Sequence, residues 1–180
     1  MIEIMGLTNK QIELLQSYRD MAYVSNTLSE HSSNYYLKLK NIIDFPLIVS
    51  SSAMTILNSS KCSAEEMKIP NIIINACTTL LLSLMNNFKF VEKTNNFKSV
   101  AIKFNKLTHA IENKLTNEMD TITIEQINTY ILEYDNLNEQ LDYPYPQFIR
   151  KKIKNRYAGK RTLPSILNCE KDFVQQHTVV

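Results

Sequence analysis

The sequence predicts an all-α protein: a two-transmembrane helical hairpin continued by long amphipathic helices that form a membrane-proximal bundle. Three observations predict it. Glycine is nearly absent, with only Gly6 and Gly159 among 180 residues, where average usage gives roughly a dozen. Turns and bulges, on which many-stranded sheets depend, are therefore scarce. Apolar residues recur at three- and four-residue steps along most of the chain, the period of an amphipathic helix. Finally, two 20-residue segments are almost without charge: Asn41 to Ser60 holds only Asp44, and Ile69 to Phe88 holds none.

Composition excludes several classes. The net charge of +2, from 20 Lys+Arg against 18 Asp+Glu, gives no bias toward a polyanionic partner, so nucleic acid is not expected. Hydrophobic content of 44% and charged content of 21% are ordinary for a folded domain. Without glycine-rich loops, Walker-type and dinucleotide-binding functions are excluded. Asn, Ile and Lys supply 55 of the 180 residues, whereas Gly, Ala, Arg and Pro together supply 18, the imbalance left by AT-rich codons.

Four regions are expected: an N-terminal amphipathic helical region (1–40), the two-span hairpin (41–88), a cytoplasmic-side helical region with a basic helix (89–161) and a C-terminal tail (162–180). In the first, residues 7 to 30 read as a helix. Thr8 and Gln11 offer a capping box, and Ile12, Leu15, Tyr18 and Ala22 form its stripe. His31 to Tyr36 reads equally as a break or a continuation. The first residues lack the basic and apolar regions of a secretory signal, and Gly6 is internal, so neither secretion nor myristoylation is expected.

A helix of about 20 apolar residues crosses the roughly 30 Å hydrocarbon layer, which makes 41–60 and 69–88 the two candidate spans. Lys61 to Lys68 joins them, with Ser63 and Glu66 as a further cap, and the simplest geometry is an antiparallel hairpin. Both segments are polar for spans. Their hydroxyls and amides, Ser50, Ser51, Asn71, Asn75, Thr78 and Thr79, form a candidate polar face of the kind through which helices associate in lipid. Two core helices of a soluble bundle are the alternative, but a surface helix normally shows a charge every turn or two. Asp44 is expected at the membrane edge, where a charge costs less than at the centre. Pro46 is expected to begin or kink the first span. Asn58-Ser59-Ser60 is a formal glycosylation sequon at the membrane edge, where no glycan is expected.

Past Phe88, Lys89, Lys93, Lys98, Lys103 and Lys106 accompany a stripe of Phe97, Val100, Ala101, Phe104, Leu107, Ile111 and Leu115. This segment reads as the second span continued into one long helix. With Lys38 and Lys40 before the first span, the positive-inside rule puts both outer flanks on the cytoplasmic side. Thr123 and Gln126 cap a further helix whose face carries Ile124, Ile127, Ile131, Tyr134, Leu137 and Leu141, and Asp142-Tyr-Pro-Tyr-Pro146 stops it. A short helix from Phe148 to Tyr157 follows, and Leu163 to Val180 reads as a loosely packed tail.

No catalytic, cofactor-binding or metal site is expected. His31, His109 and His177 stand far apart, and Cys62, Cys77 and Cys169 form no C-x-x-C pair. Ser50-Ser-Ser52 lacks a nucleophile elbow. Glu133, Asp135, Glu139 and Asp142 read as a solvated face, because acid–base work needs neighbours that shift a pKa. The one concentration of charge lies in the basic helix, with Arg150, Lys151, Lys152, Lys154 and Arg156 followed by Lys160 and Arg161. Its apolar edge, Ile149, Ile153 and Tyr157, suits anionic lipid or an acidic partner, or equally a cap on the bundle.

The order of these elements resembles the SLATT family of two-transmembrane effectors, in particular its relatives in nucleocytoplasmic large DNA viruses. The resemblance is carried by Tyr36-Leu-Lys-Leu-Lys-Asn-Ile-Ile-Asp-Phe-Pro46, by Ile69-Pro70 and by Asn87-Phe-Lys-Phe-Val-Glu-Lys93. The Lys-rich helix and Pro164-Ser-Ile-Leu167 complete it, over roughly residues 34 to 170. It implies a pore-forming effector in the bacterial branch and a virion membrane protein in the viral one, and AT-biased composition leans viral. The expectation is a non-enzymatic protein of the virion inner membrane beneath the capsid, or of the host membrane during assembly. Its expected partners are the lipid bilayer, capsid or other virion proteins, and further copies of itself. An oligomeric pore and a soluble helical adaptor are the alternatives.

Overall fold

The computed structural model describes residues 9–59, 64–117 and 122–168, without the side chains of 57, 58 and 64–67. The fold is all-α, with no strand among the described residues. Its helices are α1 (Asn9–Ser59), α2 (Ala64–Phe88), α3 (Phe90–Asn117), α4 (Ile124–Glu139), α5 (Gln147–Tyr157) and α6 (Ser165–Asn168). The chain forms two compact units, one of Met1–Ser33 with Asn96–Val180 and the other of Asn34–Asn95.

α1 runs without interruption for 51 residues, so His31 to Tyr36 is a continuation. Ser32 donates its hydroxyl to the Leu28 carbonyl at 2.8 Å, which lets a polar residue sit buried inside the helix. Pro46 lies within α1 and does not begin it. The continuous helix expected across residues 69–115 is broken once. Lys89, at φ 50°, is the only described non-glycine residue with a positive φ, and it separates α2 from α3.

The first unit has a conventional core. Leu15 and Ala22 of α1 meet Val100, Phe104, Leu107, Ile111 and Leu115 of α3 and Ile127, Tyr134 and Leu137 of α4. The stripes expected on residues 12–22 and 97–115 are thus the buried faces, while Ile124, expected on the α4 face, is exposed. α4 starts at the Thr123–Gln126 capping box, in which each side chain bonds the other's backbone N–H at 3.3 Å. α5 ends where Gly159 turns left-handed at φ 73°. A Cβ there meets nothing within 4 Å, so the conformation alone calls for glycine.

Two features of this unit depart from expectation. α1 buries Ser25, Ser29, Ser32 and Ser33 beside Val24 and Leu28, so a serine edge continues its apolar stripe. The chain after Leu163 is packed as far as it is described, with Pro164 and Leu167 buried. Residues 169–180, with Cys169 and His177, lie outside the described residues, as do Thr8, Cys62 and the Ser63 cap.

Candidate functional site

In the second unit α1 and α2 pack antiparallel. The Ser50 and Thr78 hydroxyls are 3.1 Å apart, and the Tyr36 and Phe90 rings are 6.5 Å apart, so pairing descends one helix as it climbs the other. Half-buried residues mark the seam. On α1 they include Tyr36, Lys40, Ile43, Leu47, Ser50 and Met54, flanked by half-buried Tyr35, Leu39, Asp44 and Ala53, and on α2 Asn71, Ile74, Thr78, Leu81 and Met85, flanked by half-buried Pro70. Both series step by alternating threes and fours, the heptad seam of two helices packed side by side.

Outside that seam the large apolar side chains face outward. Phe45 is 70% exposed, Ile56 71%, Ile72 58% and Leu80 66%, and Ile42, Ile48, Val49, Ile69, Ile73, Leu82, Leu84 and Phe88 are exposed as well. Buried Phe90 and Thr94 lie beyond the hairpin proper. The helical stretch Lys68–Asn117 contains an 18-residue window of mean hydropathy 1.4, none of it buried, and is long and apolar enough to cross a membrane. It is the one stretch of that length and hydropathy among the described residues; the other candidate, 41–60, does not reach it as far as it is described, and it ends outside the described residues at Ser60, as does the sequon Asn58-Ser59-Ser60.

The structure divides the six residues of the expected polar face. Ser50, Asn71 and Thr78 point into the seam between the two helices, and Ser51, Asn75 and Thr79 are exposed. Most hydroxyls are satisfied by the preceding turn of their own helix. Ser50 donates to the Leu47 carbonyl, Ser52 to Ile48, Thr55 to Ser51 and Thr79 to Asn75, at 2.8–3.0 Å. Asp44 is held by Lys40 one turn earlier at 2.7 Å, with both side chains partly covered.

The basic helix, α5, is used differently from its lipid-lying reading. Ile149 and Ile153, the apolar edge, are buried in the first unit, so the edge is spent on the protein's own core. Arg150 donates to the Ile166 carbonyl at 2.6 Å, tying α5 to α6. Arg161 donates to Asp20 at 3.0 Å and lies 4.1 Å from the centre of the Tyr23 ring, and Asp20 also accepts from Arg19 at 2.8 Å. Arg156 stands 5.7 Å from the Tyr157 ring. Lys151, Lys152, Arg156 and Lys160 are exposed, Lys154 is half-buried, and Phe148 is exposed on the same helix. The cations that present charge outward are therefore a subset of those the sequence groups together.

Two tyrosines form polar contacts that sequence reading missed. Tyr145 stacks on Phe97 with ring centres 5.2 Å apart and pairs with Ser29, and burial pushes its phenol well above the usual tyrosine range. Tyr134 is raised by burial too, partly offset by bonds to Ser25 and Asn138. The serine edge of α1 was the available signal, since buried hydroxyls need partners.

Nothing reactive assembles among the described residues. Glu133, Asp135, Glu139 and Asp142 are exposed, and Asp142 accepts from Asn96 at 2.7 Å. No three His, Cys, Asp or Glu side chains are placed to hold a metal ion among the described residues. His109 stands 3.8 Å from Glu112 on the α3 surface, and Cys77 is an exposed free thiol on α2. No protein-family model, curated protein or solved structure matches this chain.

Proposed function

We propose that this chain is a non-enzymatic membrane protein, held in the bilayer by α1 and α2 as a two-span hairpin, whose function is anchorage. One observation carries the reading: a chain that buries Phe97, Phe104 and Ile111 in an ordinary core turns Phe45, Ile56, Ile73 and Leu80 outward along one pair of helices. Apolar surface of that extent on a folded chain marks a membrane or partner contact. The hydroxyls in these helices fit lipid, because their donors are taken up by backbone carbonyls of the same helix. A soluble adaptor would need those apolar side chains inside its own bundle.

The family resemblance and the AT-rich composition favour the viral setting. In that setting the hairpin sits in the virion inner membrane beneath the capsid, or in host membrane during assembly. The first unit then meets capsid or other virion proteins, and the exposed Lys151, Lys152, Arg156 and Lys160 meet those proteins or lipid headgroups.

Alkaline carbonate extraction of membranes from cells expressing the full chain tests the anchorage. Retention in the membrane pellet is expected, and release into the soluble fraction overturns it. An oligomeric pore is the second reading, supported by the exposure of Ser51, Asn75 and Thr79. Leakage of a small dye from liposomes carrying the protein separates it from a plain anchor.

A further inference from the structure

The whole-chain balance of +2 conceals a segregation of charge within the first unit. α4 carries Glu125, Glu133, Asp135 and Glu139, all exposed, and no Lys or Arg, whereas α5 carries five cations and no acid. Two cations of the basic segment are committed inside the unit, Arg150 to the Ile166 carbonyl and Arg161 to Asp20. Lys151, Lys152, Arg156 and Lys160 are exposed, and none of them is paired with an acid among the described residues. Phe148 stands in their midst. At about 3.6 residues per turn, Phe148, Lys151, Lys152 and Asn155 share one side of α5, turned away from the buried Ile149 and Ile153. All four are exposed, Phe148 by 55%. No acid occurs among the exposed residues of 147–160, and Phe148 is their one large apolar side chain.

We infer that this outer side of α5 docks on anionic phospholipid, with the Phe148 ring entering between the headgroups and Lys151 and Lys152 held at their phosphates. The inference rests on the membrane reading above and deepens it, by fixing which of two partners the exposed cations meet. Charge selects the surface, because a negative leaflet attracts α5 and repels α4. Phe148 selects lipid over a purely polar anion. An exposed ring with lysines three and four residues on is built for an interface, the ring reaching the acyl boundary while the lysine stems rise to the headgroups. Ile149 and Ile153 stay in the core, so α5 meets lipid with its outer side and needs no unfolding to do so. Chain length supplies proximity. Tyr145, just before α5, stacks on Phe97, and Phe97 follows the end of the candidate span 69–88 by nine residues, which reach at most about 30 Å whatever path they take. Over so short a tether the second contact is intramolecular, and an attraction too weak to hold a free protein is enough.

Tryptophan fluorescence tests this, since the chain has no tryptophan of its own. The full chain is reconstituted as Phe148→Trp, and separately as Leu132→Trp at an exposed position of α4, in vesicles of phosphatidylcholine alone or mixed with phosphatidylserine. Carbonate resistance is scored in parallel. With phosphatidylserine, F148W emission is expected to shift to the blue and to be quenched by lipids brominated near the top of the acyl chain, while L132W stays open to aqueous acrylamide. In phosphatidylcholine alone, F148W stays open as well. Adding Lys151→Gln and Lys152→Gln lowers the docked-to-free ratio about 25-fold, roughly fivefold per cation, with carbonate resistance kept. F148W that stays open to acrylamide beside phosphatidylserine, in protein that resists carbonate, overturns the docking and leaves the anchor standing. An undiminished shift in the double glutamine variant overturns it too. So does a shift as large in phosphatidylcholine alone that grows with the protein-to-lipid ratio, because another protein copy then covers the ring. Protein released by carbonate removes the anchor and the docking with it.

Discussion

The Ser29 hydroxyl lies 2.8 Å from the phenolic oxygen of Tyr145, 116 residues away in the chain, and both side chains are buried. The pair joins α1 to the segment that leads into α5. Its two halves differ in what they leave behind. With Tyr145→Phe, Ser29 can still donate to the carbonyl one turn back, as Ser32 does to Leu28. With Ser29→Ala, the phenol is stranded in the core. Loss of stability of about 0.5–1.5 kcal/mol is expected for Y145F and about 1–3 kcal/mol for S29A. Denaturant unfolding of both variants and of the double variant in detergent checks the order, and equal costs would contradict it.

Alkaline pH should loosen the first unit before acid does so through these groups. Burial raises the Tyr145 and Tyr134 phenols in the folded chain, whereas an unfolded tyrosine titrates near its ordinary value of about 10. The unfolded chain therefore releases protons first as pH rises. The stability contributed by keeping these phenols neutral is complete below about pH 10 and is lost as pH climbs from there towards the folded values. Thermal melts across that range should show a falling midpoint, with a shallower fall in Y145F. An unchanged slope in that variant counts against the assignment.

The capping box at Thr123 closes the start of α4 through two reciprocal bonds. Thr123→Ala is expected to cost about 1 kcal/mol, and Thr123→Ser to cost little, because serine retains the accepting oxygen. Melting temperature under fixed detergent conditions reads both.

Core and hairpin should respond oppositely to the same kind of change. Phe104 is fully buried between α3 and its neighbours, so Phe104→Ala is expected to destabilise the first unit by about 3–5 kcal/mol. Leu80→Ala, on an outward side chain, is expected to leave unfolding of that unit unaltered. Leu80→Lys puts a charge on the candidate span at a cost of about 2.5–3.5 kcal/mol near the bilayer centre, and should lower the carbonate-resistant fraction. A Leu80→Lys protein as resistant as the parent would argue against a span there.

The parts of this fold that were readable in the sequence are those governed by local rules. Thr123 with Gln126 is a pattern of four residues whose geometry follows from its spacing. The buried face of α3 follows from Phe97, Phe104 and Ile111, which repeat at seven residues. Harder to read was the α1 face beyond Ala22, because Ser25 and Ser29 are buried against Tyr134 and Tyr145, far along the chain. Ile149 and Ile153 were ambiguous for another reason: one spacing serves a lipid surface and a protein core alike, and only the neighbours decide. For the candidate polar face, the residue types were legible, but the division was not. Which of Ser50, Ser51, Thr78 and Thr79 enters the seam depends on a register set by the partner helix.

The left-handed residue at Lys89 bears on the phase of the helices around it. The α2 seam, ending at Thr78, Leu81 and Met85, projects forward to 88 and 92, yet the buried positions that follow are Phe90 and Thr94, each two residues later. The repeat changes phase here, and the change coincides with a single αL residue instead of being spread as overwinding along the helix. Lys89→Gly would keep the offset and relieve the backbone. It is the left-handed backbone at this position, more than the lysine side chain, that gives the seam residues of α2 and the buried Phe90 and Thr94 separate faces.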